Sequence, residues 1–155
     1  MPPINRCILE RRRGAYMSML PLVHKGTGIT HLIMAAIHLN EQPGHITLND
    51  DSPSDTKFNL LWAEVKEMQD SGLRIMGMLG GAARGSFKRL DGSDGQFEAF
   101  YGPLLELIQK YSLDGLDLDT EEQMSPHGIS RLIDRLKNDL GDGFIINWPP
   151  LRLLC

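Results

Sequence analysis

The stretch YSLDGLDLDTEEQMS (residues 111–125) sets acids at every second position of a segment that otherwise reads as a buried strand. Asp114, Asp117, Asp119, Glu121 and Glu122 fall within nine positions, with leucines between the first three. Side chains alternate along a strand. Asp117, Asp119 and Glu121 are therefore expected on one face, and Leu116, Leu118 and Thr120 on the other. The leucines can pack beneath flanking helices. The acids then point to the opposite side, which in a barrel is its interior. Desolvated like charges are costly there, so they must share protons, find donors or bind a cation. A solvated sheet edge explains the pattern poorly, because the flanking leucines and the mid-chain position argue against an edge.

Outward from this stretch, strands and helices alternate. GITHLIMAAIHL (residues 28–39) is an apolar run bounded by glycine and by Asn40 and Glu41, and reads as a strand buried on both faces. Pro43 and Gly44 precede HITL, a loop with a small strand or hairpin. Residues 55–72 place Phe58, Leu61, Trp62, Val65 and Met68 at helical spacing, with Asp55 able to cap the start and Gly72 the end. LRIMGMLGG (residues 73–81) is a second buried strand, and residues 83–95 read as a polar loop. A helix is expected over 96–112, with Pro103 predicting a kink or a late start. LDGLDLDT (residues 113–120) is the third strand. Residues 125–141 form a third helix with Ser125 as N-cap and Pro126 in its first turn. GFIINW (residues 143–148) is a fourth strand, and RCILE (residues 6–10) a weaker one. This alternation predicts right-handed βαβ units and a parallel α/β sheet. It leaves open a doubly wound sheet or part of a (β/α)₈ barrel.

Composition narrows the function. The 155 residues are 41% hydrophobic and 23% charged, a globular profile. A net charge of -4 argues against a nucleic-acid partner. The one basic run, Arg11, Arg12 and Arg13, reads as a solvated turn. Two cysteines, Cys7 and Cys155, with no CxxC pair, argue against a zinc site or disulfide framework. No apolar run approaches the roughly 20 residues of a membrane span, and the N-terminus lacks the apolar core of a secretory signal. The expectation is a cytoplasmic protein with reduced thiols and no membrane partner.

Three chemistries compete for the acid cluster. In glycoside hydrolysis, Glu121 lies furthest toward the strand's C-terminal end, where active sites of parallel α/β folds lie. Neighbouring carboxylates would raise its pKa and keep it a proton donor. In phosphoryl transfer of the haloacid-dehalogenase type, DLDT (residues 117–120) is a short, partial likeness to a D-x-D-x-T opening, its threonine one position early, with Asp117 as nucleophile and Asp119 as acid and base. A divalent-metal site is the third, with no histidine close in sequence to sharpen it.

The acids also carry a resemblance. DGLDLDTE (residues 114–121) is similar to the D-x-x-D-x-D-x-E signature of glycoside hydrolase family 18, the chitinases and endo-β-N-acetylglucosaminidases. GMLGG (residues 77–81) resembles the family's S-x-G-G motif, with Met78 where that motif has serine. The order ITHLIMAAIHLN, IMGMLGG, DGLDLDTEE, FIIN looks like strands two to five of the family's barrel, over residues 17–147, in a fungal texture. The resemblance implies a retaining, substrate-assisted glycosidase with no cofactor and no metal. Glu121 would protonate the glycosidic oxygen, Asp119 would orient the substrate's N-acetyl group, and Asp117 would share charge or a proton with Asp119. The nucleophile is the substrate's own acetamido oxygen, so no second carboxylate is needed across the sugar. The implied partners are chitin, a chitooligosaccharide or an N-glycan core.

Other residues take structural readings. Asp114 has the opposite parity to Asp117 and is expected to be structural. Gly80 and Gly81 read first as close-packing turn residues, and second as lining the substrate cleft. Trp62 and Tyr101 read as core, Met68, Met76 and Met78 as filler. His31 and His38 read as hydrogen-bonded core histidines, although His38 lies where it could reach the cleft. LDGSDGQFE fails the EF-hand register and is rejected as a calcium loop.

A complete (β/α)₈ barrel takes about 250 residues, so the chain is expected to be one partial barrel of about five strands, 1–155, with a divergent tail at 148–155. A gene-model fragment, a splice product and a decayed copy are the sources considered. The tyrosine and the tryptophan that the family uses to position the sugar have no candidate here. Half a barrel predicts two open strand edges and an uncovered inner face, with self-association, marginal stability or a second polypeptide as outcomes. Glycosidase chemistry is expected by descent and full competence of the chain alone is not. A non-catalytic chitooligosaccharide-binding or inert fragment is the alternative.

Overall fold

Leu116 and Leu118 face one way from the acidic strand and are fully buried, and the rest of the sheet is built around that choice. The computed structural model describes residues 6–10 and 17–148. The side chain of Cys7, the arginines at 11–13 and the tail beyond Trp148 with Cys155 lie outside the described residues. In chain order the elements are β1 (Arg6–Glu10), α1 (Leu20–His24), β2 (His31–Leu39), β3 (Ile46–Leu48), α2 (Asn59–Asp70), β4 (Arg74–Gly80), α3 (Ser86–Leu90), α4 (Asp94–Lys110), β5 (Gly115–Asp119), α5 (Pro126–Leu140) and β6 (Ile145–Asn147). The sheet runs β1-β2-β4-β5-β6, every neighbouring pair parallel, and β3 folds back antiparallel on β2. Consecutive parallel strands pair in chain order, as in a barrel wall, which decides against a doubly wound order.

The two faces of the sheet differ in chemistry. Leu32, Met34, Ile37 and Leu39 of β2, Ile75 and Leu79 of β4, and Leu116 and Leu118 of β5 join the apolar sides of α2, α4 and α5 in one cluster. On the other face the register builds rungs: Ile33, Met76, Gly115 and Ile145, then Met78, Asp117 and Asn147, then Gly80 and Asp119. Each rung climbs toward the C-terminal ends of the strands and becomes more polar. Ile33 and Met76 are each only 2% exposed. Met78, Asp119, Ile145 and Asn147 on the same face are half-exposed, so the expected open lining is sheltered at Ile33 and Met76 and open elsewhere.

Local signals mostly hold. Asp55 Oδ1 accepts from the Lys57 N–H at 3.0 Å and caps a 3₁₀ turn, Thr56–Phe58, that leads into α2. Ser125 Oγ accepts from the Gly128 N–H at 2.9 Å, with Pro126 in the first turn of α5. α4 begins at Asp94, capped by Ser93, and runs through Pro103; the expected late start is not seen. Residues 83–95 are not the expected polar loop, for they contain α3, with Phe87 and Leu90 buried. α1 also escapes a sequence reading. Both helices span a single turn or little more, too short for periodicity to show. The fourth strand shrinks from residues 143–148 to Ile145–Asn147.

Candidate active site

β5 ends at Asp119, two residues before the alternation was expected to stop. The Thr120 N–H donates to Leu118 O and the Glu121 N–H to Asp119 O, each at 3.1 Å, so the chain turns over its own strand end. Strand parity therefore places Asp117 and Asp119 on the lining, while this turn places Glu121. Asp117 is 8% exposed. It pairs across to β6, where the Asn147 amide donates to its Oδ1. Asp119 is half-buried, one rung higher, in register with Gly80. Burial pushes its carboxyl above the usual carboxylate range, and the negative charges of Glu121 and then Asp117 push the same way. Glu121 itself is exposed and borders an open groove of about 980 Å³ shared with Arg84, Lys88 and Met124.

The two glycines let the β4 end pass close to these acids. Gly80 has φ +96°, and an added Cβ would meet the Phe87 ring and lie 2.7 Å from Asp119 O. Gly81 has φ +84°, donates its N–H to Asp119 O at 3.0 Å, and would place a Cβ 3.7 Å from Asp119 Oδ2. Met78 shares the Asp117 rung, and its Cε would be the nearest atom to that Gly81 Cβ.

Asp114 has the structural role its parity suggested. Its Oδ2 accepts from the buried Ile75 N–H at 2.8 Å and from Gln69 Nε2 at 2.9 Å, and Arg74 Nη1 lies 3.2 Å from Oδ1. It fastens β5 and α2 to the start of β4, at the opposite end of the strand from the other acids. Tyr101 is core, its hydroxyl donating to Asp139 at 2.8 Å. Trp62 lies at the rim of the core, stacked on Tyr111 with ring centroids 3.8 Å apart. His38 corrects a reading: its buried Nδ1 has no hydrogen-bond partner among the described residues. Burial lowers its pKa, partly offset by Asp50.

Two residues near the acids escaped the sequence. Glu122 accepts from the Gly85 N–H with both oxygens at 2.9 Å, and from the Phe87 N–H with Oε1 at 2.8 Å. The only trace of this in sequence is a glycine before a helical turn whose free N–H groups need an acceptor. Trp148 is 41% exposed, and its indole N–H donates to Thr120 Oγ1 at 3.3 Å. Among the described residues no three His, Cys, Asp or Glu side chains converge to hold a metal ion.

Comparison with known proteins follows the same residues. The family model described as glycosyl hydrolases family 18 matches residues 10–147. A chitinase, ChiC, from Aspergillus fumigatus is 57% identical with a TM-score of 0.91, over 94% of this chain and 54% of its own. A fungal endo-beta-N-acetylglucosaminidase from glycosyl hydrolase family 18 is 40% identical with a TM-score of 0.91, over 97% of this chain and 56% of its own. A chitinase from Rhizomucor miehei, 23% identical with a TM-score of 0.63, shares the fold over 79% of this chain and 41% of its own. The chain thus spans a little over half the length of the two more similar structures.

Proposed function

The chain belongs to glycosyl hydrolase family 18, and from that premise we propose that its acid strand carries the proton-transfer half of a site that hydrolyses β-1,4 bonds next to N-acetylglucosamine with retention. The observation that carries this reading is Asp119. It is held between Asp117 and Glu121 at the C-terminal end of a parallel strand, with its carboxyl raised by burial and by both neighbours. A carboxyl so placed shares a proton with Asp117 in the empty site. Turned toward Glu121, it accepts the N–H of the sugar's acetamido group and aims the acetamido oxygen at the anomeric carbon. As that oxygen bonds to the carbon, the glycosidic bond breaks and Glu121 hands its proton to the departing oxygen. Water then attacks the opposite face of the resulting oxazolinium, and Glu121 takes the water's proton back. Two displacements restore the original configuration. Exposure of Glu121 on the groove side lets the leaving sugar and the incoming water reach it.

The substrate class in this reading is a chitooligosaccharide or an N-glycan core, both of which present N-acetylglucosamine at the cleaved bond. The test is hydrolysis of a fluorogenic chitobioside by the purified chain beside Glu121→Gln. Slow turnover that falls at least about 10²-fold in the variant is expected. Turnover that survives the substitution overturns the assignment of Glu121. A folded chain that binds chitobiose without turnover replaces catalysis with the sugar-binding alternative.

A further inference from the structure

Glu122 stands next to Glu121 in the chain and borders the same groove, but its carboxylate is engaged by the protein itself. Its carboxylate reaches the β4–α3 connection and accepts the Gly85 N–H twice and the Phe87 N–H once, all at 2.8–2.9 Å. Carboxylate acceptors make the stronger class of hydrogen bond, and two donors, one of them shared between both oxygens, restrict the rotation of this side chain. The receiving segment is itself fixed: the Phe87 ring is buried against Gly80, and the Gly81 N–H donates to Asp119 O. A short closed circuit results. It runs from Asp119 through Gly81 to Gly85 and Phe87, through the Glu122 side chain, and back along the main chain past Glu121. No other side-chain hydrogen bond holds the residues 120–123 to the β4 end among the described residues, while Glu121 itself lies beyond the last strand pair.

We propose that Glu122 is the positioning residue of this site: by gripping the Gly85 and Phe87 N–H groups it holds the turn after β5 in place and keeps the Glu121 carboxyl beside Asp119. The proposal rests on Glu121 being the acid of that site. In this role Glu122, which borders the same groove, acts through its neighbour: both of its oxygens are taken by main-chain N–H groups. Displacing an acid by about 1 Å costs on the order of 10²-fold in rate.

The test reads the geometry directly, through the carbon-13 carboxyl titration of Asp119 in the full chain, because Glu121's charge is one of the things that raises Asp119. Three proteins are compared, each confirmed as folded by circular dichroism. Glu122→Ala cuts the circuit, and its Asp119 midpoint is expected to fall toward the ordinary aspartate range. Glu122→Gln removes the charge but can leave an amide oxygen at the Oε1 position, where it still accepts from Gly85 and Phe87. Its Asp119 midpoint is expected to match the wild type. Should Glu122→Ala not fold, Glu122→Asp replaces it, keeping the charge on an arm one methylene shorter, with the same fall expected. An unchanged midpoint in the folded Ala or Asp variant overturns the proposal. So does a fall in Glu122→Gln as large as in Glu122→Ala, which would make Glu122 an electrostatic neighbour. In the chitobioside assay, Glu122→Ala should lose about 10²-fold in kcat with KM within about threefold, and Glu122→Gln should retain most of the activity. A wild-type chain without turnover contradicts the glycosidase reading alone, since the titration still decides the role of Glu122.

Discussion

Asp119 is an acid kept protonated further up the pH scale than an aspartate in water, and that has a consequence for stability. Its folded pKa lies above the unfolded 3.8, so the folded state binds its proton more tightly. The stability it contributes is fully present below pH 3.8 and is lost as the pH rises through the folded value. Asp119→Asn should therefore be more stable than the wild type at pH 7, with the advantage disappearing near pH 3.5. Urea midpoints at the two pH values measure this, and an advantage that does not change with pH would contradict it. Replacing Asp114 should instead destabilise the fold, through a lost hydrogen bond. Removing it by Asp114→Ala leaves the buried Ile75 N–H without its acceptor, for a loss of about 2–3 kcal/mol in urea unfolding at neutral pH. The placement of these acids was legible from spacing, since parity separated Asp114 from Asp117 and Asp119 on the lining; the chemistry proposed for the lining acids came from the resemblance of D-x-x-D-x-D-x-E to the family's signature. The DLDT stretch lies inside that same longer signature, with Glu121 where D-x-D-x-T has its threonine, and needs no phosphatase to account for it. Glu122 and Trp148 were not legible, because their partners lie 35 or more residues and 28 residues away in sequence and no local pattern announces such pairs.

At the scale of elements, the caps were readable and the shortest helices were not. Ser125 was expected as the α5 N-cap from a hydroxyl before proline, and it also donates to Asp91. Ser125→Ala should cost about 1 kcal/mol, up to about 2, seen as a lowered urea midpoint. α3 was read as loop because five residues cannot show a helical period, and its first turn takes an acceptor from a distant loop. The end of β4 depends on glycine in a way the sequence only hinted at. Gly80→Ala adds a Cβ at φ +96° against the Phe87 ring and Asp119 O. Strain and overpacking together should cost about 3 kcal/mol. The same change should shift the Asp119 titration, since the Gly81 N–H that anchors its carbonyl moves with Gly80.

At the scale of the molecule, the alternation of apolar runs and amphipathic helices carried the α/β class, and the leucines of the acidic strand carried its orientation. What alternation could not tell was how the inner face would be sheltered at Ile33 and Met76, because that depends on curvature and register, which have no signature in one strand's residues. The helix-side cluster joins β2, β4 and β5 to α2, α4 and α5, so a cavity there should be felt everywhere at once. Leu116→Ala, at a position with 0% exposure, should cost about 2–5 kcal/mol in a single cooperative transition followed by both fluorescence and circular dichroism. The central claim is the chemistry proposed for this scaffold: an acetamido oxygen as nucleophile, with Glu121 as the acid and then the base. The most direct measurement is proton NMR of the anomeric region during the first minutes of chitooligosaccharide hydrolysis, before mutarotation. The account predicts that the new reducing end is released as the β-anomer and decays to the equilibrium mixture. Release of the α-anomer would require a single displacement by water and would contradict it.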